Sequence, residues 1–431
     1  MAVAPIVEPY YCHARPNEDI CLYRGPLTVA NDSLGSRAPA FGRVAVNWMP
    51  QPTVVAEVQA NLAKGPIALF PSPEQTALCP RFRRLPRQRT MRRLLDRGDV
   101  HAEMKIAGGE AGLIHESVPT VLMHVVNLER AWTGRLVAAV PARLPESLRL
   151  VGRGWNIVVD PSPNADSLRD ELRVQGGYAM THTVRAERSD GSMISLPDAM
   201  NLQEALSLFF RFGLGRSVTA ILPVGVRPNG DAAWASWLLP SMDPLRVSWS
   251  WMDYQIGYEW ETLWPPYITR WQDPYWELVL RLVIGYYMLA NQPRPVNLAI
   301  GTAHMVLDLL AYSILVEDRH LLSKSQFEAR SATENLRELL ATLGISTAIS
   351  AASARLQGFI VGGRLADGPQ VVAKLRNDVA HLRRGRSVRP TDFLVEAWQL
   401  AMWYIEMVIF KLLPYSGQYH NRLTGAIEPV P

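Results

Sequence analysis

Lysine is nearly missing from this chain: of 44 basic residues only five are Lys and 39 are Arg. Cysteine is also scarce. The three, Cys12, Cys21 and Cys79, give neither a metal-ligand spacing nor an even disulfide framework, which points to a reduced, cytoplasmic setting. No basic segment followed by an apolar run opens the chain, so no signal peptide is expected. Its most apolar stretch, "LVEAWQLAMWYIEMVIFKLL", carries Glu396, Glu406 and Lys411 and reads as a buried helix better than as a membrane span. "GLGRS" at 213–217 has no P-loop lysine, and no glycine fingerprint follows a strand. Nucleotide and dinucleotide sites are not expected, and no cofactor is called for. His101, His115, His124 and His182 are scattered over β segments without metal spacing, so no metal is expected either.

What is present is ample core material. The 431 residues are 48% hydrophobic with thirteen Trp, enough for two or three domains. A net charge of +4 is compatible with a polyanionic partner without demanding one. Arg suits bidentate phosphate contacts, although a coding bias toward Arg explains its excess equally well.

The hydrophobic period changes along the chain. Up to about residue 250, short Val-, Ile- and aromatic-rich runs ("RVAVNWM", "TVLMHVVNL", "GRLVAAVPARL", "WNIVVD", "AMTHTVRAER", "TAILPVGV") alternate with turn residues and predict strands. Asp190-Gly191 is a hairpin signal. One helix, "NLQEALSLFFRFGLG", interrupts them. Residues 251–274 are dense in Trp, Tyr and Pro and read as an ordered aromatic connector. From 275 to 431 the period becomes 3.6, with five helical segments. The expected fold is α+β and multidomain: a β-rich region at 1–250, of one or two subdomains, and a helical bundle at 275–431.

Within the bundle, "KLRNDVAHLRRG" (374–385) sets Arg376, Asn377 and His381 ahead of Arg383, Arg384 and Arg386. An Arg-to-His spacing of this kind is expected about once by chance in so Arg-rich a chain, so spacing alone decides nothing. Positions five apart on a helix differ by about 140°, whereas Asn377 and His381, four apart, share a face. His can donate or accept a proton near neutral pH, and Arg can fork onto phosphate oxygens. Together they suit metal-free RNA cleavage, in which a ribose 2′-hydroxyl attacks the adjacent phosphate. One copy supplies one His here for two proton transfers, so a twofold dimer with a shared cleft is the economical arrangement. The plain alternative is a histidine at a helix end among solvated arginines. A second basic run, "RFRRLPRQRTMRRLLDRGD", includes Arg81, Arg83, Arg84 and Arg87. It is either a surface tracking RNA phosphates or a solvated loop or basic helix. His304, in an apolar helix four before Asp308, reads as a satisfied buried histidine.

"RNDVAH" in a helical bundle resembles the signature of HEPN domains: Arg, a polar residue, then His after a gap of four. The ending "LPYSGQYHNR" (413–422) is similar to the tail of the ApeA-like HEPN branch, with Gly417, Tyr419 and Asn421 at the matching positions. The likeness extends in looser form upstream to about residue 150, through "NLQEALSLFFRFGLGRSVTAILPVGV" and the pair Trp234 and Trp237. The resemblance implies a metal-independent endoribonuclease acting as a homodimer or higher even oligomer. It implies tRNA or other structured RNA as substrate, a toxin or anti-phage abortive-infection role, and a phage-derived trigger. Arg376 and His381 carry over as catalytic, Asn377 as supporting. Asp308 is the candidate for the acidic residue many members place on an earlier helix, an ordinary interhelix aspartate being the alternative. Other members are inactive scaffolds, so the competing expectation is a non-catalytic dimerisation module that binds RNA or a nucleotide.

Overall fold

A computed structural model describes residues 7–31, 36–61, 76–79, 87–96, 99–106, 109–130, 147–246, 248–292, 295–363, 365–380 and 390–431. The chain divides into two compact units. The first comprises residues 1–130, 134–207 and 218–246. The second comprises 131–133, 208–217 and 247–431.

The first unit is built on two antiparallel sheets. Strands β1 (Ile20–Asn31), β2 (Ser36–Asn47), β3 (Thr53–Asn61), β4 (Thr76–Cys79), β5 (Arg87–Asp96) and β6 (Asp99–Ile106) form one, in the order β4-β1-β2-β3-β6-β5. Strands β7 (Glu110–Gly112), β8 (Thr120–Val126), β9 (Leu148–Gly152), β10 (Trp155–Pro161), β11 (Met180–Arg188), β12 (Thr219–Val226) and β13 (Ala232–Ser236) form the other, in the order β7-β13-β12-β8-β11-β10-β9. Alternate residues of the two sheets meet in one apolar core. Val44, Val46, Trp48 and Val54 come from the first sheet and its flank. Met180, Ile221 and Val224 come from the second. Helix α1 (Ala165–Gln175) and the first part of α2 (Leu196–Leu214), to Ser207, complete the first unit; the rest of α2 belongs to the second.

The second unit holds α3 (Glu259–Trp271), α4 (Pro274–Asn291), α5 (Val296–Tyr312), α6 (Lys324–Ala329), α7 (Ala332–Thr342), α8 (Ala354–Val361), α9 (Gly368–Ala380) and α10 (Thr391–Leu412). A π-helical turn, Ser313–Asp318, extends α5, and the short pair β14 (Gln418–His420) and β15 (Ile427–Pro429) closes the chain. Helix α10 lies at the centre, with Leu400 through Phe410 buried without a break. It and Val296–Asp318 are long and apolar enough by composition to cross a membrane, yet 78% and 67% of their most apolar windows are buried inside the protein.

The α+β division holds: strands dominate the first unit and helices the second. Several elements differ from expectation. The aromatic stretch 251–274 contains α3, which packs within the helical unit through Trp260, Trp264 and Tyr267, each ring 5.1 Å from Phe209. Gly213 must be glycine there, because a β-carbon would enter the Trp260 ring. The segment at 323–344 is two helices, each started by its own capping box, Ser323 with Gln326 and Ser331 with Glu334. Asp190-Gly191 is a turn, but it leads from β11 toward α2 rather than joining two strands of a hairpin. Arg87–Asp96 is a strand, not the loop or basic helix expected of the Arg-rich run. The strand expected in "GRLVAAVPARL" falls outside the described residues.

Candidate functional site

Helix α9 positions the arginine of the signature. Its start is fixed by Asp367, which accepts from the Gln370 backbone at 3.0 Å and takes a two-pronged ion pair from Arg337 of α7, at 2.6 and 3.1 Å. Val371, Val372 and Leu375 then bury one face of α9 in the unit's core. Arg376 follows on the exposed side.

Helix α9 packs on α5, and His304 of α5 lies in electrostatic range of both Asp308 and Arg376. His304 is buried, and Asp308, one turn later on the same face, is exposed. Burial is the main cause that lowers the His304 pKa from its usual 6.5. The Asp308 carboxylate opposes the shift, and the Arg376 guanidinium reinforces it. Burial and the Arg376 charge thus favour the neutral imidazole, and the Asp308 carboxylate favours the charged one. An imidazole in that position can accept or relay a proton, while the neighbouring cation can hold a phosphate oxygen.

Of the residues expected from sequence, Arg376 and Asp308 each lie in electrostatic range of His304, a histidine that reads from sequence as core. Asn377 lies on α9, but its side chain is outside the described residues. His381, Arg383, Arg384 and Arg386 also lie outside them, as do Arg81, Arg83 and Arg84. Arg87 opens β5, and its side chain is likewise not described. Among the described residues, no three His, Cys, Asp or Glu side chains are gathered to hold a metal. The one sequence signal for His304 was its i,i+4 relation to Asp308.

The chain end has a separate, structural part. Gly417 lies where a β-carbon would strike the Glu259 carboxylate and the Tyr415 hydroxyl, and the Gln418 backbone donates to Glu259 at 2.8 Å. The Tyr419 hydroxyl accepts from Trp403 at 3.0 Å, and Asn421 donates to Glu428 at 2.6 Å. Arg422 is fully buried on Glu406 of α10, whose carboxylate also accepts from the Tyr287 hydroxyl at 2.7 Å. The tail residues thus tie the terminal hairpin to α3, α4 and α10.

Comparisons with known proteins agree with this division. A family described as the YopA central domain matches residues 115–248, and one described as the YopA C-terminal domain matches 273–430. The second match begins at Asp273, the N-cap of α4, and includes Arg376, His304, Asp308 and Arg422. The chain is also 28% identical over 293 residues to the SPbeta prophage-derived uncharacterized protein YopA of Bacillus subtilis (strain 168). The aligned region is 66% of this chain and 65% of that protein, so the chain spans just under two thirds of its relative's length. Neither family description names a HEPN domain. No solved structure matches.

Proposed function

We propose that the protein is a metal-independent endoribonuclease of the HEPN type, acting on tRNA or another structured RNA from the cytoplasm. The observation that carries the reading is that His304 of α5 lies in electrostatic range of Arg376 of α9 and of Asp308, directly before the segment that holds His381. In the proposed reaction a base takes the proton of a ribose 2′-hydroxyl, whose oxygen attacks the adjacent phosphorus. The bond to the 5′-oxygen breaks, and an acid protonates that oxygen as it leaves. The products carry a 2′,3′-cyclic phosphate and a 5′-hydroxyl. Arg376 holds the negative charge of the crowded phosphate in the transition state. His381 supplies a proton-transfer group, Asn377 orients it, and a second copy supplies the other. Asp308 fixes the local charge balance around Arg376. Arg383, Arg384 and Arg386, with the run from Arg81 to Arg87, track the RNA backbone.

The prophage origin of the similar protein supports a setting in phage–host conflict, as a toxin or abortive-infection factor with a phage-derived trigger. Expressing the full chain, Arg376→Ala and His381→Ala in bacteria, and sequencing RNA ends, tests the reading. New ends should appear with the wild type and disappear with both variants. RNA that binds without being cut would instead mark a non-catalytic module.

A further inference from the structure

We propose that Arg337 of α7 is a positioning residue for the candidate site: its fork on Asp367 sets the direction of α9, and with it the place where Arg376 stands. Contacts from α7, from the loop after it and from α10 converge on the first residues of α9. The Arg337 Nε and one terminal nitrogen grip the two Asp367 oxygens at 2.6 and 3.1 Å. Asp367 also accepts from the Gln370 backbone at 3.0 Å, and the Gln370 side chain accepts from the Ala366 backbone at 2.6 Å. The Gly368 N–H donates to the Thr347 carbonyl at 2.9 Å, and the Tyr404 hydroxyl of α10 donates to the same carbonyl at 3.4 Å. Gly368 presses so closely on Tyr404 that a β-carbon would enter its hydroxyl.

Capping the helix does not require Arg337. The Asp367 carboxylate alone satisfies the Gln370 N–H. Nor does stability account for the fork, because the Arg337 side chain is 41% exposed and an ion pair so close to water adds little. What a two-pronged guanidinium adds is geometry: it fixes the plane and direction of the carboxylate it holds. Arg337 is itself well anchored, since Leu336, Leu339 and Leu340 bury the other side of α7. The first turn of α9 is thereby tied to a buried neighbour in one orientation.

Orientation counts because the site lies toward the other end of the helix. Arg376 is eight residues beyond Gly368, about 12 Å along the axis, and Asn377 follows it. A tilt of about 10° at the start displaces that point by about 2 Å. Misplacement on the order of 1 Å is enough to cost a reacting group about a hundredfold in rate. Arg337 thus acts on Arg376 through Asp367 and the helix, without touching substrate. Only the cleavage measurement below rests on the proposed ribonuclease reading.

The place of Arg376 is read out by His304, whose pKa the Arg376 charge lowers. In NMR titration of the full chain, Arg337→Gln should raise the His304 pKa toward its value in Arg376→Ala. In a chain that already carries Arg376→Ala it should add nothing. Asp367→Asn keeps an acceptor for the Gln370 N–H and breaks the ion pair. Loss of that negative charge by itself would lower the His304 pKa, whereas displacement of α9 raises it, so a rise is expected. The proposal is overturned if Arg337→Gln leaves His304 unmoved, if it raises the pKa equally in both backgrounds, or if Asp367→Asn lowers it. If Arg337→Gln loses helical circular dichroism, Arg337→Lys replaces it, keeping the charge and losing the fork, with the same outcomes expected. In RNA cleavage, Arg337→Gln should lower kcat about tenfold or more at unchanged KM. An unchanged kcat contradicts the positioning role. A wild type that cuts no RNA sinks the ribonuclease reading instead, and the His304 titrations then decide the role of Arg337 alone.

Discussion

Arg422 and Glu406 form an ion pair that no solvent reaches: the Arg422 Nε lies 3.1 Å from each carboxylate oxygen, and both side chains are fully buried. Around the pair, Tyr287 donates to Glu406, Asn291 lies 3.5 Å from the guanidinium, and the Trp249 and Trp398 rings lie 5.9 and 5.6 Å from its carbon. Removing one partner leaves a buried charge uncompensated, at a cost of about 3–5 kcal/mol. Arg422→Met or Glu406→Met should therefore lower the urea midpoint of the helical unit strongly, followed by tryptophan fluorescence. The Arg422→Met/Glu406→Met double variant should lose less than either single one. A loss in the double variant equal to the sum of the two single losses would mean the pair is not energetically coupled.

The position of Gly417 makes a second prediction. Its missing side chain is space used by Glu259 and Tyr415. Gly417→Ala forces those buried groups apart and should cost about 1–3 kcal/mol, while Gly230→Ala, which meets nothing in space at a surface turn, serves as a comparison for backbone strain alone. Chemical denaturation of the two variants compares the steric cost at Gly417, whose backbone is not left-handed, with the left-handed backbone cost at Gly230.

His304 reports the geometry of the candidate site directly. Asp308 raises its pKa and Arg376 lowers it. By NMR titration, Asp308→Asn should move the His304 pKa further down and Arg376→Ala should move it up. An imidazole that responds to neither change would not lie where the structure puts it.

His124 on β8 gives a pH prediction for the first unit. It is completely buried, accepts the Tyr11 backbone N–H at 3.1 Å, and burial pushes its pKa down to about 3. The unfolded chain takes up a proton near pH 6.5 that the folded chain refuses until about pH 3. Stability from this group is thus full above pH 6.5 and falls as the pH drops toward 3. His124→Gln should flatten the acid side of the stability curve for this unit, measured by denaturation between pH 4 and 7. A slope equal to the wild type's would contradict the assignment.

Strands β8, β10, β11 and β12, buried over most of their length, were legible as short Val- and Ile-rich runs bounded by turn residues, and α4, α5, α9 and α10 by a 3.6 period that reports which face is buried. Helix α3 was not, because Pro265-Pro266 reads as a break. Inside a helix proline costs about 3 kcal/mol, and here burial of Trp260, Trp264, Tyr267 and Trp271 offsets it. The Arg-rich strand β5 was hidden because its own residues show no apolar alternation; what makes it a strand is its pairing with the next strand, β6, from Arg87↔Ile106 to Asp96↔Asp99. At the site, Arg376 was marked by its neighbours in sequence. His304 was not, because what distinguishes it from a core histidine is a charge on another helix. The buried Arg422–Glu406 pair was invisible for the same reason, the partners being 16 residues apart on different elements.

The central claim is tested most directly by the ends of RNA cut by the purified full chain in excess EDTA, with His381→Ala alongside. The account predicts cleavage by the wild type to 2′,3′-cyclic phosphate and 5′-hydroxyl ends, and none by the variant. Cleavage abolished by EDTA, or retained in full by His381→Ala, would contradict it.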